Sequence, residues 1–159
     1  MKTLIVYASK YGCTEKCVSI LKQHLKCDVS VCEASQAGKL DLQAFDCILA
    51  GASVYALKLR KELKDFCIQN EALLLQKKLG LFICCSTPLT QANYINNLYA
   101  PALLEHAAAK ANFGGEIHLE KMSWGDRMVM KMVEKSPDFQ YPHILEEEIQ
   151  QFAAVINNL

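Results

Sequence analysis

Ser9, Gly12 and Thr14 stand in the segment Ala8-Ser9-Lys10-Tyr11-Gly12-Cys13-Thr14, between the apolar run Thr3–Tyr7 and a helical pattern that begins at Thr14. Two hydroxyls and a glycine at the start of a helix can hold a phosphate, because free backbone amides converge there and the helix dipole favours an anion. The segment has neither the Gly-Lys-Ser/Thr ending of a Walker loop nor a Gly-x-Gly-x-x-Gly fingerprint. The competing reading is an ordinary helix start, with Ser9 or Thr14 as a plain cap. The residue types leave both open.

The remaining candidates for chemistry are thiols, imidazoles and an apolar stripe. The eight cysteines contain no Cys-x-x-Cys pair, and the four histidines, His24, His106, His118 and His143, fall on separate elements without ligand spacing. Neither a metal site nor a nucleophile–base pair is expected. The chain opens Met1-Lys2-Thr3 and passes directly into an apolar run with no signal-peptide pattern. That opening predicts a reducing, cytoplasmic setting in which the cysteines are small buried hydrophobes. Cys13 is the exception: at a helix N-terminus its thiol is expected to be the most readily alkylated. Cys84-Cys85 closes a strand, where one side chain should pack inward and the other face the strand end. Trp124, Met128, Met130 and Met132 are either the core-facing stripe of a helix or a contact for an apolar partner. Lys121, Arg127, Lys131 and Lys135 make that stretch locally basic.

These residues need a framework to position them. At 159 residues, 52% hydrophobic and 21% charged, the chain fits one unit over 1–159 and excludes a disordered polymer. Lys and Arg number 17, as do Asp and Glu, so the basic excess of a nucleic-acid binder is absent. No apolar run is long enough for an integral membrane segment, which leaves room only for peripheral membrane contact. Strand and helix patterns alternate. Strands are expected at Thr3–Tyr7, Cys27–Glu33, Phe45–Gly51, Lys78–Cys85 and near Phe113–His118. Helices are expected at Thr14–Lys26, Lys58–Gln69, Ala92–Ala109 with a break near Pro101, Trp124–Glu134 and Ile144–Asn158. Such alternation predicts an α/β fold with a parallel sheet covered on both faces. Ligands then belong beyond the carboxyl ends of the strands, so the loops after the first, third and fourth strands are the places to look.

The order strand, Ser-x-x-Gly-x-Thr, helix is similar to the FMN-phosphate loop of flavodoxins, usually Thr/Ser-x-Thr-Gly-x-Thr. Ser9, Gly12 and Thr14 match it. Gly51-Ala52-Ser53-Val54-Tyr55-Ala56 resembles the Gly-x-Ser-Ile/Val-Tyr segment of the flavodoxin subfamily that contains menaquinone-dependent protoporphyrinogen IX dehydrogenases. Lys58-Leu59-Arg60-Lys61, Phe113-Gly114-Gly115-Glu116 and Asp126–Met132 continue the pattern. The resemblance covers nearly the whole chain. It implies a flavodoxin-like three-layer α/β/α sandwich with a five-stranded parallel sheet of order 2-1-3-4-5. It also implies FMN as cofactor, with Ser9, Lys10, Tyr11, Gly12, Cys13 and Thr14 around the phosphate. Ser53, Val54, Tyr55 and Ala56 would run beside the N5 side of the ring, with Tyr55 on one ring face. Cys85, Ser86 and Thr87 would meet the pyrimidine edge. The function implied is electron transfer to a redox partner protein. The alternative is a quinone-linked oxidoreductase, and a third reading is a fold relative that binds partners without flavin.

Overall fold

In the computed structural model the chain is described over residues 1–55, 58–85, 94–137, 139 and 141–159. The strand β1, Lys2–Ala8, is buried from Thr3 onward. Its side chains alternate between two cores: Leu4 and Val6 face one, Ile5 and Tyr7 the other. A strand covered on both sides has no polar face, which is why its sequence reads as an unbroken apolar run.

β1 lies between β2, Asp28–Glu33, and β3, Cys47–Tyr55, and pairs with both in parallel. A two-residue strand, β4 (Lys58–Leu59), pairs antiparallel with the end of β3. β5, Lys78–Cys84, follows on the far side of β3, and β6, Ala109–Asn112, completes the order β2-β1-β3-β5-β6. With the small β4 set aside, the parallel strands run 2-1-3-4-5, as expected.

One face of the sheet is covered by α1, Cys13–His24, and α5, Glu146–Asn157. Cys17, Val18 and Leu21 of α1 and Phe152 and Ile156 of α5 pack there with Leu49 and Phe82. Phe82 stacks on Phe113 with ring centroids 4.7 Å apart, and Phe152 meets Phe113 edge-on at 5.3 Å. The other face is covered by α2, Lys61–Leu74, by α3, Pro101–His106, and by 3₁₀ turns at Ala34–Lys39 and Leu42–Ala44.

Three expectations change. The helix placed at Lys58–Gln69 starts at Lys61, because Leu59 and Lys58 pair with Val54 and Tyr55. Of the long helix expected over Ala92–Ala109, the first two residues lie outside the described residues, and the described part holds a 3₁₀ turn at Tyr94–Asn97 and a helix only over Pro101–His106. Proline sits in its first turn, where a missing amide costs nothing. The fifth parallel strand is Ala109–Asn112, ahead of Phe113–His118, since the small residues Ala109 and Ala111 let it lie beside β5.

After Phe113 the chain leaves the sheet and returns at Leu145. Gly114, in the left-handed region at φ 72°, forms an antiparallel bridge with Ile144. A Cβ on Gly114 would collide with the His143 carbonyl, so only glycine fits this junction. Gly115 N–H donates to His143 O at 3.1 Å and Leu145 N–H to Phe113 O at 2.9 Å. Between these ends lies α4, Trp124–Val133, started by Ser123, whose hydroxyl accepts from Asp126 N–H. The excursion forms a cap over the carboxyl end of the sheet. Among the described residues no helix is long and apolar enough to cross a membrane.

Candidate functional site

A cavity of about 380 Å³ opens at the carboxyl ends of β1, β3 and β5. Ser9, Lys10, Tyr11 and Cys13 line it from the loop after β1, and Ser53, Val54 and Tyr55 from the end of β3. Cys84 and Cys85 line it from the end of β5, and Glu116, Ile117, Met122, Asp126, Val129 and Met130 from the cap. Three strand ends expected to converge therefore do so. A larger depression, about 700 Å³, lies at the opposite end of the sheet among Met1, Lys2, Asp46, Lys78 and Leu159. Parallel α/β sheets carry their ligands at the carboxyl end, so the smaller cavity is the candidate.

The loop after β1 is shaped by Gly12, left-handed at φ 88°, which stands as the N-cap of α1. Its N–H donates to Ser9 Oγ at 3.0 Å, so Ser9 braces the turn from within. No side chain caps α1. Thr14 is 0% exposed, and its Oγ1 has no hydrogen-bond partner among the described residues. Neither hydroxyl caps the helix, so Ser9 and Thr14 are not the plain caps that the simpler reading expects. Ser53 Oγ is likewise buried and unpartnered. Orphaned buried hydroxyls are uncommon and call for a partner.

Cys13 departs from expectation. It is buried, and a hydrogen bond with Cys17, together with burial, pushes its thiol well above the ordinary cysteine value. The helix dipole is outweighed, and Cys13 is a packed hydrophobe. Cys84 and Cys85 are both buried, on opposite sides of the sheet, so strand alternation holds. The backbone N–H of Cys85 donates to Asn112 Oδ1 at 3.2 Å, and Gly114 N–H donates to the same oxygen at 3.0 Å. Asn112 thus ties the end of β5 to the root of the cap. The expected site residues Ala56, Ser86 and Thr87 lie outside the described residues.

The polar centre of the mouth is Asp126, marked in the sequence only as part of a resemblance. Its carboxylate accepts from the hydroxyls of Tyr11 and Tyr55 and from Lys10 Nζ at 3.0 Å. Hydrogen bonds from Tyr11, Tyr55 and Lys10 hold the carboxyl far below the usual range. Lys10 Nζ also stands 3.3 Å from the centroid of the Tyr55 ring, a close cation–π contact. Tyr55 itself is 43% exposed. A second ion pair, Lys16 to Glu116 at 2.7 Å, joins α1 to the cap and depresses the Glu116 carboxyl. Neither Asp126 nor Glu116 was recognisable as a site residue from spacing alone, because their partners lie 115 and 100 positions away.

α4 turns Asp126, Val129, Met130 and Val133 to the cavity. Trp124 and Met132 point outward, 79% and 73% exposed, and Met128 is exposed beside them. The helix therefore is not a core-facing methionine stripe: Met130 lies inside and the other two outside.

A family described as a flavodoxin domain matches residues 4–140. None of the curated proteins matches the sequence. Among solved structures, the chain is similar to the two-electron reduced flavodoxin of Megasphaera elsdenii at a TM-score of 0.63 and 15% identity, covering 99% of both chains. It is similar to a short-chain flavodoxin associated with a non-canonical PDU bacterial microcompartment, at 0.60 and 16% identity, over 99% of this chain and 97% of that one. Oxidised flavodoxin 2 from Bacillus cereus gives 0.57 and 20% identity, covering 99% of both.

Proposed function

The chain belongs to the flavodoxin domain family, and from that premise we propose that it binds FMN at the carboxyl end of the sheet and transfers electrons. The observation that carries this reading is the fully buried Thr14 hydroxyl, without a partner among the described residues, at a start of α1 that no side chain caps. A phosphate there would take the Thr14 hydroxyl and the amides of the Ser9–Thr14 loop, with Gly12 giving the close backbone approach. Ser53, whose buried hydroxyl also lacks a partner, would serve the polar middle of the ligand. Bound FMN supplies reversible electron acceptance. Tyr55 and Lys10 would border the ring, with Val129 and Met130 of the cap beside it. The expected contacts of Ala56, Cys85, Ser86 and Thr87 belong to the same proposal.

A second reading has its own support. Ile117, Met122, Val129 and Met130 bring an apolar wall of the cap to the cavity. A capped, apolar mouth favours a small apolar electron partner, such as a quinone, over a large protein surface. This is the oxidoreductase alternative.

Titration of the purified apoprotein with FMN, followed by visible absorbance and fluorescence quenching, tests the cofactor. Saturable quenching that weakens in Thr14→Val supports the site; added FMN left unperturbed overturns it and favours a binding module. Reoxidation of the dithionite-reduced complex separates the two readings. Fast reaction with a soluble quinone analogue supports the oxidoreductase, and inertness toward it supports the protein-linked carrier.

A further inference from the structure

We propose that Lys121, supplied by the cap, is a phosphate-clamping residue that makes this site select a phosphorylated flavin over one without phosphate. The inference rests on the FMN reading above. A side chain placed at Gly12 would project toward Lys121, with the ideal Cβ 3.5 Å from Lys121 Nζ. The ammonium therefore lies against the turn that starts α1, although Lys121 is more than a hundred positions away in the chain.

Three lysines surround this loop, and two are neutralised. Lys10 pairs with Asp126 at 3.0 Å and Lys16 with Glu116 at 2.7 Å. Among the described residues Lys121 has no carboxylate partner. It lies beside Gly12, the N-cap of α1, where the helix dipole disfavours a cation and a bound anion would offset it. Thr14 adds a second, independent sign of a missing ligand: its hydroxyl is fully buried at that helix start and has no partner among the described residues. A phosphomonoester satisfies both, having close to two negative charges and three strong acceptor oxygens.

The position of Lys121 is built. It ends a 3₁₀ turn, Leu119–Lys121, and its N–H donates to His118 O at 3.0 Å. The Arg127 guanidinium, from α4, donates to Met122 O at 3.0 Å and to Glu120 O at 3.3 Å, fixing the backbone on both sides of Lys121. Arg127 is thereby a positioning residue, and a phosphate at this turn would neutralise the charge the cap brings to it.

The test compares FMN and riboflavin binding by fluorescence quenching for the full-length parent, Lys121→Met and Lys121→Arg. Loss of a charge-assisted contact is expected to weaken FMN binding about tenfold or more in Lys121→Met. Riboflavin affinity should be unchanged, and Lys121→Arg should keep most of the FMN affinity. Rising salt should weaken FMN binding to the parent more than to Lys121→Met. FMN affinity equal in parent and Lys121→Met overturns the clamp and leaves the FMN site standing. Equal losses for FMN and riboflavin overturn it in favour of a general effect on the cap. A parent that binds neither flavin removes the FMN reading and the clamp together.

Discussion

Asp126 and Tyr55 are 71 positions apart in the chain, and the carboxylate of one accepts the hydroxyl of the other. The same carboxylate takes the Tyr11 hydroxyl and the Lys10 ammonium. One side chain from the cap thus gathers donors from the loop after β1 and the end of β3. With the outer face of α4 exposed and none of its residues fully buried, this polar latch is a tether that the helix's apolar contacts alone do not supply. Such a network is strongest when every member is satisfied, and removing one exposes the rest.

Asp126→Asn should loosen the cap without unfolding the sheet. The amide is neutral and loses the charge-assisted bonds to Lys10 and both tyrosines. Tryptic cleavage after Arg127 and Lys131 should accelerate several-fold, while the melting temperature moves by only a few degrees. Unchanged cleavage would show that the latch does not hold α4.

The latch should survive a wide pH range. The Asp126 carboxyl is depressed by its donors. Its stabilisation is complete above the ordinary carboxylate value, about 3.9, and is lost as pH falls through the lower folded value. Lys10 is raised by its hydrogen bonds to Asp126 and the tyrosines, against burial, and Tyr55 chiefly by its bond to Asp126. Their contribution is complete below their ordinary values, near 10, and is lost as pH rises through the folded ones. Fluorescence anisotropy of Trp124, the one tryptophan in the sequence and carried on α4, should therefore stay flat between about pH 5 and 9 and fall at both extremes. A step near neutrality would contradict this.

Gly51→Ala should be among the costlier small changes in the chain. A methyl there would run into the ring of Phe82, which is stacked on Phe113 and cannot retreat. Overpacking of this kind costs about 2–3 kcal/mol, or roughly 5–10 °C in melting temperature for a chain of this size. Gly38→Ala is the control, since nothing lies within 4 Å of its added methyl. Equal melting temperatures for the two variants would sink the packing argument.

Alkylation with iodoacetamide should label Cys27 and Cys32 first, since both are partly exposed, and Cys13 late, since burial and Cys17 keep it a thiol. Peptide mass spectrometry over time gives the order. Early labelling of Cys13 would restore the dipole-activated thiol expected from its place at a helix start.

The layered sheet was legible because β1, β3 and β5 are covered on both sides, so each reads as a continuous apolar run bounded by loop residues. The loop of Ser9, Gly12 and Thr14 was legible for the same reason: strand, turn and helix are local. Ala109–Asn112 was not, since two alanines, a lysine and an asparagine have no strand pattern until β5 lies beside them. The latch and the place of Lys121 were hidden for a stronger reason. Asp126 and Glu116 acquire their partners, and Lys121 its position beside Gly12, only through long-range packing, and nothing in the spacing of surface charges announces which of them will meet a distant loop. Cys13 shows the converse: its local signal was clear, and burial against Cys17 overrode it.

The junction at Gly114 and Ile144 has an evolutionary consequence. The segment from Gly115 to His143 departs from and rejoins the scaffold at one stitched point, secured by a bridge and two backbone hydrogen bonds. An excursion closed this way adds little to the entropic cost of the chain as it lengthens. Its length can therefore change at little entropic cost while the strand pairing beneath is kept, provided Asp126 and Glu116 still reach the loop after β1 and the start of α1.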